Sequence, residues 1–532
     1  MKTFARPLAL VLAAALWLVS ADAAAQSRRD ALLEQAHEDI SNWQIPAAAE
    51  ALAKIEAEGI GVDAEVLYAR GRLAFFSGEY KQAAALVDQA ITAAPNDEAR
   101  RTFEGLRGLI KDTQDVVKDY KEFRSPNGYF IIRVEPGKDE ILIPYAYETL
   151  EAAYEQFAKD FGYKPPAPVR VEIYPTAATL AKVSPLTEAE IKNSGTIALC
   201  KYNRLMFTSP KALLKGYGWR DTLAHEFAHL VITQRSNNTV PIWMHEGLAK
   251  FQERRWRGQD PALRLMPPSS ENLLAKGVKD KKLITFEQMH PSMAKLPDQD
   301  STALAFAEVY TVMEYILAQK GEGVFGEMLT LMRQNKDAEK TIEALLGVPF
   351  AAFQRNWMAY LKTRPAKSFD EEAVYVEKLR FIDDKPGSEL LDIGKKEARD
   401  LIHLGELLQA RKRYAAAAIE YQKARELIGD RNPILQTRLA KSLIEIKKYQ
   451  EAADALTRSL AYYPSHHNTY VLLGEALYRL GRKEEAEVHF VEAIGINPYD
   501  PKPHRFLSQI YADTGRDDLA ARARANAEAS GG

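Results

Sequence analysis

Residues 225–229 of this chain read His-Glu-Phe-Ala-His, and residues 241–249 read Pro-Ile-Trp-Met-His-Glu-Gly-Leu-Ala. Apolar residues around the first stretch recur at roughly helical spacing, which predicts a helix over residues 219–234. On such a helix His225 and His229 lie one turn apart on the same face. Both imidazoles are therefore able to bind one metal ion.

A third ligand must come from another part of the chain, because catalytic zinc takes three protein ligands and leaves the fourth position to water. Glu246 lies 17 positions after His229 on a second predicted helix, and we predict that its carboxylate is this ligand. The adjacent His245 competes for the same place. Neighbouring residues on a helix point about 100° apart, so only one of the two faces the metal.

Length and composition limit the number of domains, the class of protein and the kinds of partner. A chain of 532 residues is too long for one hydrophobic core, and about three or four domains are expected. The apolar content of 46% and the charged content of 27% are ordinary for a soluble globular protein. The formal charge of -2 gives no electrostatic reason to expect nucleic acid or an acidic membrane surface as a partner.

The first 25 residues have the pattern of an export signal. Basic residues precede the apolar run Leu8–Val19, and small residues end at Ala25, so we expect cleavage near Ala25-Gln26. The run is too short for a confident membrane span, although an uncleaved anchor is the alternative. Cys200 is the single cysteine and excludes an internal disulfide. We expect an exported protein, periplasmic or secreted in a bacterium, with no stable membrane span after signal cleavage.

Both ends of the chain contain internal repeats. Gly474, Ala486, Phe490, Ala493 and Pro498 have the offsets of a 34-residue helix-turn-helix repeat. Earlier copies with the same pattern contain Ala440, Ala452, Leu456, Ser459 and Pro464, then Gly405, Ala417, Tyr421 and Ala424, and near the N-terminus Gly71, Ala83, Ala90 and Pro95. These segments resemble tetratricopeptide repeats, which implies a groove for an extended peptide or a partner protein. The alternative is a stack of helices that only supports the rest of the molecule.

The residues between the repeats are rich in strand-forming types. Strands are predicted at Tyr129 to Val134 and Val169 to Tyr174, with a helix over 144–161 between them. Thr196 to Cys200 and Arg204 to Thr208 form a predicted hairpin, and the second of these strands is a candidate for pairing with a substrate backbone. After Glu246 we expect helices through about Arg364, and residues 97–122 are predicted to form one long polar helix.

The segment 125–364 resembles the gluzincin metallopeptidases, specifically peptidase MA-like domains in which Pro-x-Trp-x-x-Glu-Gly-x-Ala follows the zinc helix. Residues 241–249 match this motif, and the resemblance favours Glu246 over His245. It implies an α+β, mostly α fold, in which a small mixed sheet and a helical lobe enclose the substrate cleft. We predict a signal peptide over 1–25, repeats over 27–122 and 396–530, the gluzincin domain over 125–364 and a linker over 366–395.

The resemblance also implies roles for other residues. Glu226 acts as the general base that takes a proton from water. Tyr310 is the candidate donor to the negative oxygen of the intermediate, with Tyr315 nearby and Phe306 at a position where a tyrosine is expected. Lys250 departs from the family pattern, because related enzymes carry an aspartate there that orients a zinc histidine. Glu253 or a backbone carbonyl would have to replace it.

The sequence therefore predicts an exported zinc metallopeptidase that hydrolyses peptide bonds, with one catalytic Zn2+ and repeat arrays that recruit a protein substrate or partner. The alternative is a tetratricopeptide scaffold for protein interaction whose peptidase-like domain is inactive. Both metal-binding histidines, the base and a third-ligand candidate are present, which argues against loss of activity.

Overall fold

The computed structural model describes residues 25–59, 61–258, 260–264, 266–364, 379–382 and 389–531. The predicted signal peptide, apart from Ala25, and most of the predicted linker lie outside the described residues. The chain divides into two compact units. The first extends to Asp119 and includes Lys201–Arg204 and Thr233–Thr239; the second comprises the rest. None of the described helices combines the length and apolar character that a membrane crossing needs.

The first unit is built from helices. They are α1 (residues 25–41), α2 (Ile45–Ala57), α3 (Ala64–Phe76), α4 (Tyr80–Thr92) and α5 (Asp97–Val117). Consecutive helices pack in pairs, and a Cβ added at Gly71 of α3 would lie 2.5 Å from a methyl group of Val87 on α4. The small residue therefore permits close helix contact, as the repeat pattern requires. The helix predicted over 97–122 ends at Val117, and a strand follows it.

The second unit contains a five-stranded sheet, apart from Lys201 and Arg204 at the ends of two of its strands. Its strands are β1 (Lys121–Arg124), β2 (Phe130–Val134), β3 (Val169–Tyr174), β4 (Ala198–Lys201) and β5 (Arg204–Thr208), in the order β1-β2-β3-β5-β4. β1 and β2 are antiparallel, and β2 and β3 are parallel. Every residue of β5 is buried, and β5 is paired on both sides, with β3 and with β4. The proposal that Arg204–Thr208 pairs with a substrate is therefore wrong, because β5 lies inside the sheet and the edge strands are β1 and β4.

Helices α6 to α15 complete the middle of the chain. They are α6 (Leu142–Phe161), α7 (Ala177–Val183), α8 (Glu188–Ser194), α9 (Trp219–Ser236), α10 (Ile242–Gln252), α11 (Pro268–Asp280), α12 (Gln299–Lys320), α13 (Val324–Asn335), α14 (Ala338–Leu346) and α15 (Phe350–Thr363). Phe227 of α9 is fully buried, with its ring 5.5 Å from that of Phe130 and 5.8 Å from that of Phe157. Residues two apart on a helix point about 200° apart, so burial of Phe227 turns His225 and His229 away from this core.

The C-terminal part of the second unit is a repeat array. Its helices are α16 (Lys396–Ala410), α17 (Tyr414–Ile428), α18 (Pro433–Glu445), α19 (Tyr449–Leu460), α20 (His467–Arg479), α21 (Lys483–Ile494), α22 (Pro501–Asp513) and α23 (Asp517–Ala529). Glycines of the repeat pattern again lie against large side chains of the partner helix: Gly405 faces Tyr421 and Gly474 faces Phe490. The predicted fold class is confirmed, with a mostly helical chain and a small mixed sheet between helical repeats.

The glycine contact in the array predicts the effect of a substitution. A Cβ at Gly474 would lie 2.7 Å from a ring carbon of the fully buried Phe490. We expect Gly474→Ala to lower the free energy of unfolding by about 1–2 kcal/mol, because overpacking outweighs the helix propensity gained. In contrast, Gly108 of α5 has open space around its Cβ position, and Gly108→Ala should be stabilising. Denaturation curves of both variants test this, and equal effects would contradict the packing argument.

One buried carboxylate in the helical lobe makes stability depend on pH. Glu308 of α12 is fully buried, and its Oε1 accepts a hydrogen bond of 2.9 Å from the amide of Ile284. Its Oε2 has no hydrogen-bond partner among the described residues. Burial raises the pKa of Glu308 from 4.5 to about 8. The folded chain therefore keeps this proton at pH values where the unfolded chain has lost it.

The free energy of unfolding should consequently fall as pH rises from about 4.5 towards 8, by roughly 4 kcal/mol from this group. Glu308→Gln keeps the acceptor for Ile284 and removes the titration. We expect the variant to be more thermostable than the parent chain at pH 8 and little different at pH 5. Melting temperatures at both pH values measure this, and an advantage that does not grow with pH would refute it.

Candidate metal centre

Three donor atoms from two helices converge on one point. His225 and His229 of α9 have their Nε2 atoms 3.1 Å apart. The Oε2 atom of Glu246 on α10 lies 3.4 Å from Nε2 of His225 and 3.3 Å from Nε2 of His229. The structure thus brings together the three predicted ligands, and both histidines are buried.

This arrangement fits a tetrahedral divalent ion. Ligand atoms about 2.0–2.1 Å from zinc in tetrahedral geometry are about 3.3 Å from one another. The three separations of 3.1, 3.3 and 3.4 Å match that edge length. Two ring nitrogens at 3.1 Å also repel unless a proton or a cation lies between their lone pairs. The donor set is therefore suited to zinc.

Glu226 is a further acidic group close to the histidines. Potential ligand atoms of His225, Glu226 and His229 all lie within 4.8 Å of one another, which makes Glu226 a rival to Glu246 as ligand. We favour Glu246, because one of its oxygens contacts both Nε2 atoms. Glu226 is 5% exposed and accepts a hydrogen bond from the backbone amide of Cys200 in β4. Its Oε2 has no hydrogen-bond partner among the described residues.

A second carboxylate orients His225. Glu253 lies just after α10, and its Oε2 is 3.4 Å from Nδ1 of His225. Lys250 donates a hydrogen bond of 2.7 Å to the other oxygen of Glu253. From the sequence, Glu253 or a backbone carbonyl is the expected replacement for the missing aspartate. In the structure Glu253 contacts Nδ1 of His225. Lys250, which departs from the family pattern, holds the replacement in position.

His245 contacts the far side of His229. The Nδ1 atoms of these two rings are 2.5 Å apart, and the rings stack with centroids 4.6 Å apart. His245 therefore lies against the ring nitrogen that points away from Glu246. A hydrogen bond at this nitrogen fixes the tautomer that leaves Nε2 free to bind a metal. Sequence reasoning missed this contact, because the position of His245 beside Glu246 indicates only a competing ligand.

The electrostatics of the cluster favour a cation. Burial alone would lower the pKa of His225, but hydrogen bonds to Glu246 and Glu253 outweigh it and raise the pKa to about 10. Burial opposes ionisation of Glu246 as well, yet the neighbouring His229 and His225 hold its pKa below the ordinary value. Burial raises the pKa of Glu226. The carboxylates of Glu246 and Glu253 therefore favour positive charge beside His225.

The predicted donor Tyr310 is engaged elsewhere. It is 6% exposed, its hydroxyl donates to the backbone carbonyl of Arg264, and its ring packs 5.0 Å from that of Phe251. Phe306, one turn earlier on α12, has its ring 6.0 Å from that of His225. The role of Tyr310 stays a prediction, and it requires the hydroxyl to leave Arg264. Tyr315 is also buried.

Tyr217 is a buried residue near the centre that sequence reasoning missed. Its hydroxyl donates a hydrogen bond of 2.6 Å to the carbonyl of Thr208, at the end of β5. Burial, followed by the charge of Glu226, raises the pKa of Tyr217 well above its usual range. Tyr217 therefore stays neutral and ties the start of α9 to the sheet. A single tyrosine between two glycines carried no signal of this role.

Comparison with known proteins agrees with this architecture. The sequence profile of the Peptidase MA superfamily matches residues 149–363, and that of the tetratricopeptide repeat matches residues 33–98 and 437–501. The chain therefore carries a Peptidase MA superfamily domain flanked by tetratricopeptide repeats, as the sequence predicted. Such repeats point to protein partners. No curated protein matches the chain.

Several solved structures show weaker similarity. MamA MSR-1 C2 is 24% identical over 26% of this chain and 82% of its own, with a TM-score of 0.23. Another crystal structure of MamA is 20% identical over 27% and 82% of the two chains, with a TM-score of 0.24. The APC/C hetero-tetramer Cut9-Hcn1 is 12% identical over 95% and 79%, with a TM-score of 0.27. Scores this low do not establish a common overall fold or function.

The contact between Glu253 and His225 predicts an effect on metal affinity. Loss of an outer partner of a ligating histidine typically weakens metal binding by about 10–100-fold. We expect Glu253→Ala to weaken zinc binding within that range, while Glu327→Gln, which changes an exposed carboxylate on α13, leaves it unaltered. Competition with a chromogenic chelator measures both constants. Parental affinity in Glu253→Ala would show that Glu253 does not orient His225.

Proposed function

We propose that this chain is a zinc-dependent metallopeptidase that hydrolyses peptide bonds in protein substrates. The observation that carries the proposal is the convergence of Nε2 of His225, Nε2 of His229 and Oε2 of Glu246 at 3.1–3.4 Å, beside the buried carboxylate of Glu226. When bound, zinc acts as a Lewis acid that polarises the peptide carbonyl and lowers the pKa of water to about 7.

Glu226 transfers the proton in this proposal. Its carboxylate accepts a proton from the attacking water and then donates that proton to the nitrogen of the departing amine, so the peptide bond is replaced by a carboxyl group and an amine. The hydrogen bond from the Cys200 amide fixes one side of the carboxylate. Burial raises the pKa of Glu226, which brings it closer to the value that suits a group that both accepts and donates a proton at neutral pH.

The sheet supplies a place for the substrate. β4 is an edge strand, and the amide of Cys200 within it bonds to Glu226. An extended peptide that pairs with β4 would therefore pass close to the base. Main-chain pairing of this kind requires an unfolded or extended segment, so we propose flexible segments of proteins as the substrate class. The repeats would recruit that protein or a partner of the enzyme, outside the cytoplasm if the predicted signal is used.

One observation favours the alternative of an inactive scaffold. The Tyr310 hydroxyl is bound to the Arg264 carbonyl, which leaves the centre without the expected donor to the intermediate. The intact ligand set, and a base that is buried and oriented, support catalysis instead. Structural zinc sites are usually closed by four protein ligands, whereas the described residues bring three converging donors to this centre.

Two substitutions separate these functions. Glu226→Gln preserves size and should retain zinc, but it cannot take up the proton, so we expect hydrolysis of an unfolded, fluorescently labelled protein to fall by at least about 100-fold. Glu246→Ala should lose both zinc and activity. Glu327→Gln serves as the exposed control.

Zinc content measured by atomic emission and the rate of hydrolysis are read on the same samples. Zinc in the parental chain and in Glu226→Gln with no hydrolysis by either would favour the scaffold. Full zinc occupancy in Glu246→Ala would remove Glu246 as a ligand.

A further inference from the structure

The C-terminal repeat array contacts the first residues of α9 directly. The indole Nε1 of Trp219 donates a hydrogen bond of 3.0 Å to the carbonyl of Ile494, and the amide of Tyr217 donates one of 3.0 Å to the carbonyl of Ile496. Ile494 is the last residue of α21, where carbonyl groups have no partner within the helix. The start of the helix that carries both histidines therefore caps the end of a repeat helix.

The backbone at Gly216 approaches the repeat array very closely. Gly216 has a φ of +70°, and a Cβ added there would lie 2.2 Å from the carbonyl oxygen of Ile496. No other residue type fits at this position without moving the backbone. Trp219 is 3% exposed, so its ring is enclosed as well as hydrogen-bonded. The close approach therefore involves the backbone and an enclosed ring, and not long side chains on the surface.

An arginine links the array to the same helix through its charge. Arg257 donates to both oxygens of Asp221, at 2.9 and 3.2 Å, and to Oε1 of Glu492 at 2.5 Å. Glu492 lies on α21, and Asp221 lies on α9 one turn before His225. The side chains of Arg257, Asp221 and Glu492 are only 19%, 22% and 29% exposed, so solvent screens the pairs less than it would on the surface.

A second set of contacts holds the neighbour of α9. Arg522 of α23 donates a hydrogen bond of 3.0 Å to Glu148, and Asn526 donates one of 3.2 Å to the Tyr145 hydroxyl. Glu148 and Tyr145 belong to α6, the helix whose aromatic residues pack on Phe227. The last two repeats therefore hold both α9 and the helix behind it.

We propose that the last repeats of the C-terminal array position the metal-binding helix, with Arg257 as the positioning residue that couples Glu492 to Asp221. This inference rests on the proposed zinc function. It assigns the array a role beyond recruitment: the placement of His225 and His229 against Glu246 depends on contacts made by α21. A displacement of α21 would be transmitted through Asp221 to His225, which lies one turn further along the same helix.

The test uses the full chain and substitutions that keep size and shape. Glu492→Gln removes the charge that Arg257 contacts, and Trp219→Phe removes the hydrogen bond to Ile494 while keeping an aromatic ring. Glu485→Gln is the matched control, because Glu485 lies on the same helix α21 but is exposed: its ion pair with Arg482, at 2.6 Å, leaves 55% of its side chain accessible to solvent. Zinc affinity, the kcat and KM of hydrolysis and hydrogen exchange of the amides of 219–229 are measured for each.

We expect Glu492→Gln and Trp219→Phe to weaken zinc binding by about tenfold, at the low end of the range for outer partners of metal ligands. Amide exchange at 219–229 in the zinc-free chain should become faster, and kcat should fall with little change in KM. Glu485→Gln should match the parental chain in all of these. Equal zinc affinity and equal exchange in all three variants would overturn the inference.

The two proposals fail in different ways. If the parental chain binds no zinc, the proposed function is wrong, and the exchange of the zinc-free chain still tests the coupling of α21 to α9. If the parental chain binds zinc and cleaves protein, but Glu492→Gln and Trp219→Phe behave as Glu485→Gln does, only the positioning role is wrong. If Glu492→Gln and Trp219→Phe lower the melting temperature but leave zinc affinity unchanged, the contact stabilises the fold and does not position the metal-binding helix.

Discussion

Burial of Phe227 is the constraint on which the candidate metal centre depends. Its ring is enclosed by Phe130 of the sheet and Phe157 of α6, so α9 has one permitted rotation about its axis. That rotation directs His225 and His229 away from the core and towards α10. A half-turn of α9 about its axis would bury two imidazoles in aromatic surroundings and expose a large apolar ring, and both changes are unfavourable.

Close packing of α10 brings Glu246, the proposed third ligand, into place. A Cβ at Gly247 would lie 2.9 Å from the Val309 carbonyl of α12, so the glycine next to Glu246 allows the two helices to approach. The orienting carboxylate also depends on α10, since Glu253 follows directly after its last residue and Lys250 within it holds Glu253. The family pattern has an aspartate at the position of Lys250. Here Glu253 contacts His225 instead, and Lys250 donates a hydrogen bond to Glu253.

The C-terminal repeats belong to the same compact unit as the sheet and the metal centre, whereas the N-terminal helices form most of the other unit. The two arrays, which share one repeat pattern, thus lie in different compact units. Repeats of this type leave the carbonyl groups at helix ends available, and α21 offers one of its carbonyls to Trp219. The array therefore contributes to the geometry of α9 in addition to any surface that it presents to partners.

The sequence alone determined what local pattern can encode. Helical spacing placed both histidines on one face of α9, and aromatic and β-branched residues marked Val169–Tyr174 with the bounds that the structure has. The 34-residue period identified both arrays. Tertiary structure decided the rest. The edge position of β4, the hydrogen bond of Tyr310 to Arg264 and the stacking of His245 on His229 arise from contacts between separate elements. Trp219 and Ile494 are 275 positions apart, and no periodicity in either segment specifies that they meet, because their meeting depends on how the whole unit packs.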